Sequence, residues 1–400
     1  GGGILRVRSV TAFINAGDPA NQLDAVLQAG KAAAEIRGAL QAAGLEVQTM
    51  RLATQPLSDL PGDALALAQE LAGQAVDAGF EYVSLGPVLA DQPGADLSRL
   101  ASIPALIRAS EVVFACVLVA RHDGRINLPA IRQMAGVIRE IAHTTDLGFG
   151  NLRLALLANV GPHAPFFPAA YHDGGPPAVG IATEAADLAV DAFAGSGSLD
   201  QARERLIGLV ERDGAKIAGA VQPLAEARGY RFAGIDFSLA PFPEQARSIG
   251  AAVERLGVER FGAPGTLFAS TLLTDCLRQA RYPRCGFNGL MLPVLEDAIL
   301  AARSRECLFT VNDLLLYSAV CGTGLDTVPL PGDVGEEELA AILLDVAALA
   351  LRLDKPLTAR LMPVPGAKAG DLTTFDFAYF ANGQILDIKG RGSQGLFERG

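Results

Sequence analysis

From Ile4 to Val160 short aliphatic runs alternate with longer stretches of helical spacing, and no other feature narrows the fold as much. Strands are predicted over Ile4–Ile14, Leu45–Leu52, Phe80–Leu85, Glu111–Ala120 and Leu152–Val160. Helices are predicted from Asp18-Pro19 to Gly44, and over Asp63–Ala78, Leu97–Ala109 and Asn127–His143. Asp before Pro suits a helix start, and Gly44 suits its end. Strands joined by helices of ten residues or more must pair in parallel, which gives an α/β architecture. A loop rich in Pro and Gly, Gly161–Gly180, interrupts the pattern. Loops this long in a compact chain carry function or lack order, and Phe166, Phe167 and Tyr171 argue for order.

A long helix is expected from Ser198 to Gly229, and the pattern restarts at Arg231–Leu239. Further strands are predicted over Gly289–Leu295, Thr358–Pro363, Phe375–Phe380 and Gln384–Ile388. The helices between them are Glu244–Leu256, Thr266–Gln279, Glu296–Arg303, Asn312–Val320 and Glu336–Leu353. Gly195–Gly197 is the candidate hinge, so residues 4–195 and 198–388 read as halves of one domain. The Gly- and Arg-rich tail, 389–400, is expected to be mobile.

Composition removes several function classes. Half of the 400 residues are hydrophobic, so a disordered chain is excluded. Apolar runs such as Val112–Ala120 are about half the length of a membrane helix. Ile4 onward reads as a strand, not a signal peptide. The formal charge of −11, without a basic block, disfavours nucleic acid and membrane surfaces and leaves small metabolites as partners. Five cysteines without a C-x-x-C pair fit neither a disulfide framework nor a zinc or iron–sulfur spacing, and suit the cytoplasm.

Few motifs point to chemistry. No G-x-G-x-x-G, Walker loop, G-x-S-x-G or H-x-x-x-H pair is present. Leu-Pro-Gly-Asp occurs at 60–63 and 330–333, where each Asp precedes a helix and reads as a cap. Gly262–Gly265 leads into a helix headed by Thr266, whose free N–H groups could contact an anion. Glu296-Asp297 follows an apolar strand, where α/β ligands bind, so the pair could hold a divalent cation or supply a base. Cys321 enters a Gly-containing turn that ends at Asp326, a place for an accessible thiol or a small buried residue. His163 and His172 share the long loop with Tyr171 and Asp173.

Several motifs together resemble the uncharacterised prokaryotic family called domain of unknown function 711. They are Asn159, Pro165–Ala170, Gly234–Pro241, Phe261-Gly262, Gly265-Thr266, Pro293–Asp297, Val320-Cys321, Gly324–Asp326, Pro331–Asp333 and Arg360–Gly366. The resemblance implies a fold like that of the glycyl radical enzymes: a ten-stranded α/β barrel of two five-stranded parallel halves. In such a fold Cys321 would be the positional analogue of the radical cysteine. The tail offers only Arg391-Gly392-Ser393-Gln394-Gly395 for the glycyl motif and lacks its aromatic residue, so radical chemistry is expected to be absent. The chain also departs from the family pattern at Phe287-Asn288, Gly322 and Asp345-Val346.

These readings combine into one expectation: a cytoplasmic metabolic enzyme acting on a small polar metabolite inside the barrel. Cys321 would be the reactive thiol, with Glu296 and His172 as further catalytic groups. Asp236, Asp326 and Thr266 would bind substrate, and Glu296 with Asp297 would hold a divalent cation. A homo-oligomer, by default a dimer, is expected. The alternative is a non-catalytic binding or sensory protein for an amino-acid-like ligand.

Overall fold

The computed structural model describes residues 5–390, except 93 and 123, together with 394–397. Nine strands form one mixed sheet: β1 (Arg6–Phe13), β2 (Glu46–Ala53), β3 (Tyr82–Leu89), β4 (Val113–Ala120), β5 (Leu154–Ala158), β6 (Ala178–Glu184), β7 (Arg231–Asp236), β8 (Gly324–Pro331) and β9 (Leu357–Val364). The order across the sheet is β7-β6-β1-β2-β3-β4-β5-β9-β8.

β1 to β5 are parallel neighbours in sequence order. Their connections are α1 (Pro19–Ala42), α2 (Ala64–Asp77), α3 (Ile103–Ala109) and α4 (Leu128–Thr144). Local chemistry sets these starts. Asp18 accepts from Ala20 N–H, Asp63 from Ala66 N–H and Asn127 from Ala130 N–H. β4 is buried at all eight positions, as a parallel strand covered on both faces should be.

Strand direction then reverses. β6 runs antiparallel to β1 and parallel to β7, and β9 runs antiparallel to β5 and parallel to β8. The reversal falls within 159–177, earlier in the chain than Gly195–Gly197. Further helices are α5 (Ala186–Ala194), α6 (Leu199–Ala227), α7 (Ile249–Arg255), α8 (Thr266–Gln279), α9 (Ala298–Arg305), α10 (Val311–Ser318) and α11 (Glu336–Leu353).

The strand predicted at Gly289–Leu295 forms only isolated bridges. Ile235 pairs with Arg284, Leu239 with Leu290, and Pro293 with Asp326, all in parallel sense. The chain at 284–293 therefore contacts both ends of the sheet order. The predicted strands at 375–380 and 384–388 are likewise absent, apart from one bridge, Leu372 to Gln384. Phe375, Phe377 and Phe380 instead pack around Phe149. Of the tail, 391–393 and 398–400 lie outside the described residues, and Gln394–Phe397 form a helical turn with Phe397 buried.

Candidate functional site

A cavity of about 100 Å³ opens where side chains from β1, β2, β3, β4, β5, β8 and β9 converge. A pocket of about 150 Å³ holds a benzene, so this one suits a ligand of a few non-hydrogen atoms. Phe166 and Phe167 from the long loop form part of its wall. That loop is tied down: Ser84 Oγ donates to Ala170 O at 2.7 Å, Thr11 Oγ1 to Pro165 O at 3.0 Å, and His172 N–H to Thr54 O at 2.9 Å.

The charged lining consists of three arginines (Arg8, Arg51, Arg360) and two carboxylates (Glu296, Asp326). Arg360 Nε donates to Asp326 Oδ1 at 2.6 Å and its Nη2 to Glu296 Oε1 at 2.7 Å. Arg8 Nη2 donates to Glu296 Oε2 at 2.5 Å. Both carboxylates are buried, yet their proton affinities move apart. Burial pushes each upward. For Glu296 the adjacent Arg360 and Arg8 more than offset this and hold it below the usual carboxylate range. Asp326 has Arg360 beside it but also the Glu296 charge, and it stays above that range. Opposed shifts in a carboxylate pair are the pattern that separates an acid from a base.

Arg51 is different. It is only 8% exposed, and among the described residues no carboxylate comes within ion-pair distance of it. Its Nε donates to Thr49 Oγ1 at 2.9 Å, and its guanidinium lies 5.3 Å from the Phe167 ring centre and 5.5 Å from that of Tyr82. Burial, then repulsion from Arg8, pulls it down to about 10. Glu296 attracts it only from beyond ion-pair distance, and a buried cation without a direct ion pair is costly.

The sequence-predicted residues divide sharply. Glu296 and Asp326 meet at the cavity. Asp297 lies beside Glu296 in sequence but faces away and caps two helices. It accepts from Ile299 and Leu300 N–H of α9, from Ser248 Oγ, and from Ile249 and Gly250 N–H of α7. Glu296 and Asp297 thus do not face one ion. Asp236 accepts from Ser238 N–H and Oγ and from Phe287 and Asn288 N–H, and burial raises it to about 6. It pins the irregular stretch at 284–293 to β7. Thr266 closes a turn, accepting from Gly262 N–H and donating to Ala263 O.

Cys321 is 1% exposed, sits in the main apolar core and is absent from the cavity wall. Its Sγ accepts from Gly324 N–H at 3.5 Å. The adjoining Gly322 serves a backbone crossing, since a Cβ there would stand 2.6 Å from Gly289 Cα. Alkylation of the folded chain is expected to label exposed Cys307 quickly and to leave buried Cys116, Cys276 and Cys321 unmodified until denaturant is added. Mass spectrometry of the labelled peptides reads this out, and rapid labelling of Cys321 would restore its candidacy.

His172 is fully buried, outside the cavity wall. Its Nδ1 lies 2.9 Å from His163 Nε2. Burial lowers the proton affinity of both imidazoles and takes His163 down to about 4. Arg8, Arg51 and Arg360 were not singled out for chemistry. Their signal is an Arg inside an otherwise apolar strand, as in Leu357–Val364, where a buried charge requires a partner.

The family model described as "Uncharacterised ACR (DUF711)" matches residues 3–379. The chain belongs to this family. Curated relatives bear only the name UPF0210 protein. One from Pyrobaculum arsenaticum is 35% identical over 352 residues, 82% of this chain and 76% of its own length. One from Methanopyrus kandleri is 31% identical, covering 82% of this chain and 77% of its own. One from Listeria monocytogenes is 28% identical, with 89% and 83% covered. Among the described residues no helix is long and apolar enough to cross a membrane.

Proposed function

We propose that the cavity takes a small anionic metabolite, a carboxylic acid or phosphate ester of few atoms, and that the protein is an enzyme moving a proton on it. Arg51 would bind the anion. Its buried guanidinium without a carboxylate partner carries the reading. Asp326, raised above the carboxylate range, would give or take the proton, and Glu296 would stay ionised. Arg360 orients both carboxylates. The reading needs neither Cys321 nor a glycyl radical.

The architecture inferred with it is a closed ten-stranded barrel like that of glycyl radical enzymes, with 284–293 as the tenth strand. Two observations support this. The stretch meets both ends of the sheet order: Cys285 N–H donates to Ile235 O of β7, and Pro293 bridges to Asp326 of β8. The cavity also draws its wall from seven strands, as the interior of a barrel would.

A second reading, a binding protein without turnover, is favoured by one fact: both cavity carboxylates are already engaged by arginines. A thermal-shift panel of small carboxylates, phosphate esters and amines tests the shared premise. Anions should raise the melting temperature and amines should not. Absence of any shift by anions at millimolar concentration would overturn it. Solvent-deuterium incorporation into the stabilising ligand, followed by NMR, then separates enzyme from binder.

A further inference from the structure

The long loop carries a second polar cluster that the cavity does not use. It comprises His163, His172 and Asp173, the only group of three or more candidate ligand residues that the described residues bring together. His163 Nε2 is 2.9 Å from His172 Nδ1 and 3.5 Å from Asp173 Oδ1, and His172 Nδ1 is 3.4 Å from Asp173 Oδ1. A tetrahedral zinc ion with N and O donors at about 2.0–2.1 Å requires donor-to-donor edges of about 3.3–3.4 Å. An octahedral ion with donors at that distance needs edges of about 3.0 Å. Two of the three edges fit the tetrahedral value and exceed the octahedral one. The third edge, 2.9 Å, is a hydrogen bond between the two imidazoles, so the rings must part by about 0.4 Å for the three atoms to form one face of a tetrahedral zinc shell.

We propose that His163, His172 and Asp173 form a zinc-binding site whose fourth position is open to water. The surroundings orient each ligand. His172 Nε2 lies 3.1 Å from Gly175 O; as donor there it leaves Nδ1 as the ligating atom. Gly175 N–H donates to Asp173 Oδ1 at 2.9 Å and fixes the carboxylate. The edge contact of Phe13, at 5.1 Å, holds the His163 ring. Asp173 is half-exposed while both imidazoles are buried, so the ion has an entry path and a solvent-facing position. Bound zinc would fasten the loop that supplies Phe166 and Phe167 to the cavity.

One neighbour opposes the ion. Arg231 Nη2 lies 3.1 Å from His163 Nδ1 and 3.3 Å from its Nε2. A donor in line with one imidazole lone pair would stand much farther from the other nitrogen. The guanidinium therefore lies over the ring face and does not occupy the Nε2 lone-pair direction. Without metal His163 Nε2–H donates to His172 Nδ1, and zinc binding must displace that proton to Nδ1 or to solvent. Its positive charge repels a cation, and the Asp173 carboxylate offsets it.

The experiment uses the untagged full-length chain, stripped with chelator and titrated with zinc chloride by calorimetry. Cobalt(II) serves as an optical probe. One equivalent of zinc should bind and raise the melting temperature, and cobalt should give the intense visible bands of a tetrahedral site. Asp173→Asn should weaken binding at least tenfold, and His163→Gln more. Arg231→Gln should tighten binding severalfold, an effect that loss of folding would not produce. Failure to form a one-to-one complex would overturn the proposal. So would weak octahedral cobalt bands, or binding unchanged in both Asp173→Asn and His163→Gln. The zinc readouts can fail or succeed separately from anion binding at Arg51, because none of the three ligand residues lines the cavity.

Discussion

Arg360→Ala is expected to destabilise the folded chain by about 3–5 kcal/mol, the range for removing one partner of a buried ion pair. Arg360 bonds Glu296, Asp326 and the carbonyl of Leu152 at once. All three side chains are nine-tenths buried, so solvent cannot replace it. Without it Asp326 keeps no ion pair among the described residues, only the more distant charge of Arg8, and Glu296 keeps its ion pair with Arg8. Urea unfolding at pH 7 measures the loss. The pH dependence gives a second check. In the native chain Glu296 is held low, so its stabilisation is present above the ordinary carboxylate pKa and is lost as pH falls. In the variant both carboxyls rise and protonate more readily, which relieves their burial as pH falls. The gap between the two proteins should therefore narrow toward pH 4. Arg360→Lys should fall between them, since an ammonium cannot span two carboxylates as a planar fork does. A loss below about 1 kcal/mol at pH 7 would show that the triad contributes no more than an exposed ion pair.

Much of the fold was legible because local chemistry and global position agree in its first half. Asp18-Pro19, Asp63 and Asn127 start helices and cap them. β4 is apolar throughout and central. β6 and β8 were missed for different reasons. Ala178–Glu184 follows Pro176-Pro177, so its start merges with the Pro- and Gly-rich loop. Gly324–Pro331 contains two prolines, which argue against a strand with bonds on both sides. Phe375–Phe380 misled in the opposite sense. Its alternating aromatics have the period of a strand, but tertiary packing uses them as a cluster.

The site was legible in part for a similar reason. Glu296 and Asp297 give the same local signal, adjacent carboxylates after an apolar run, while Asp236 lies in a predicted strand and Asp326 ends a Gly-containing turn. The difference is made by distant partners. Asp297 meets the amides of two helix starts, whereas Asp326 meets Arg360. The arginines come from β1, β2 and β9, and Arg360 lies more than 300 residues from the other two, so only the topology shows that they converge.

Arg51→Met should separate stability from binding. In the free protein burial pulls the guanidinium well below its ordinary value, to about 10. For a base the sign follows directly: the penalty is fully present below about pH 10 and disappears as pH rises through the unfolded value. At neutral pH this corresponds to a burden on the order of 3 kcal/mol. A methionine of similar length removes the charge and keeps contact with Phe167 and Tyr82. The variant without ligand is therefore expected to be more stable by about 1–3 kcal/mol, as when other poorly compensated buried charges are replaced by apolar side chains. Ligand binding should move the other way. Hydrogen bonds from a cation to an anion contribute about 1.5–3 kcal/mol each, so losing two should weaken the anion at least a hundredfold. Melting temperatures with and without the best anion of the panel measure both effects in one experiment. A structural arginine would lower stability in both states when removed. A higher melting temperature alone, together with loss of the anion-induced shift, can arise only if Arg51 destabilises the empty cavity and is compensated by its ligand.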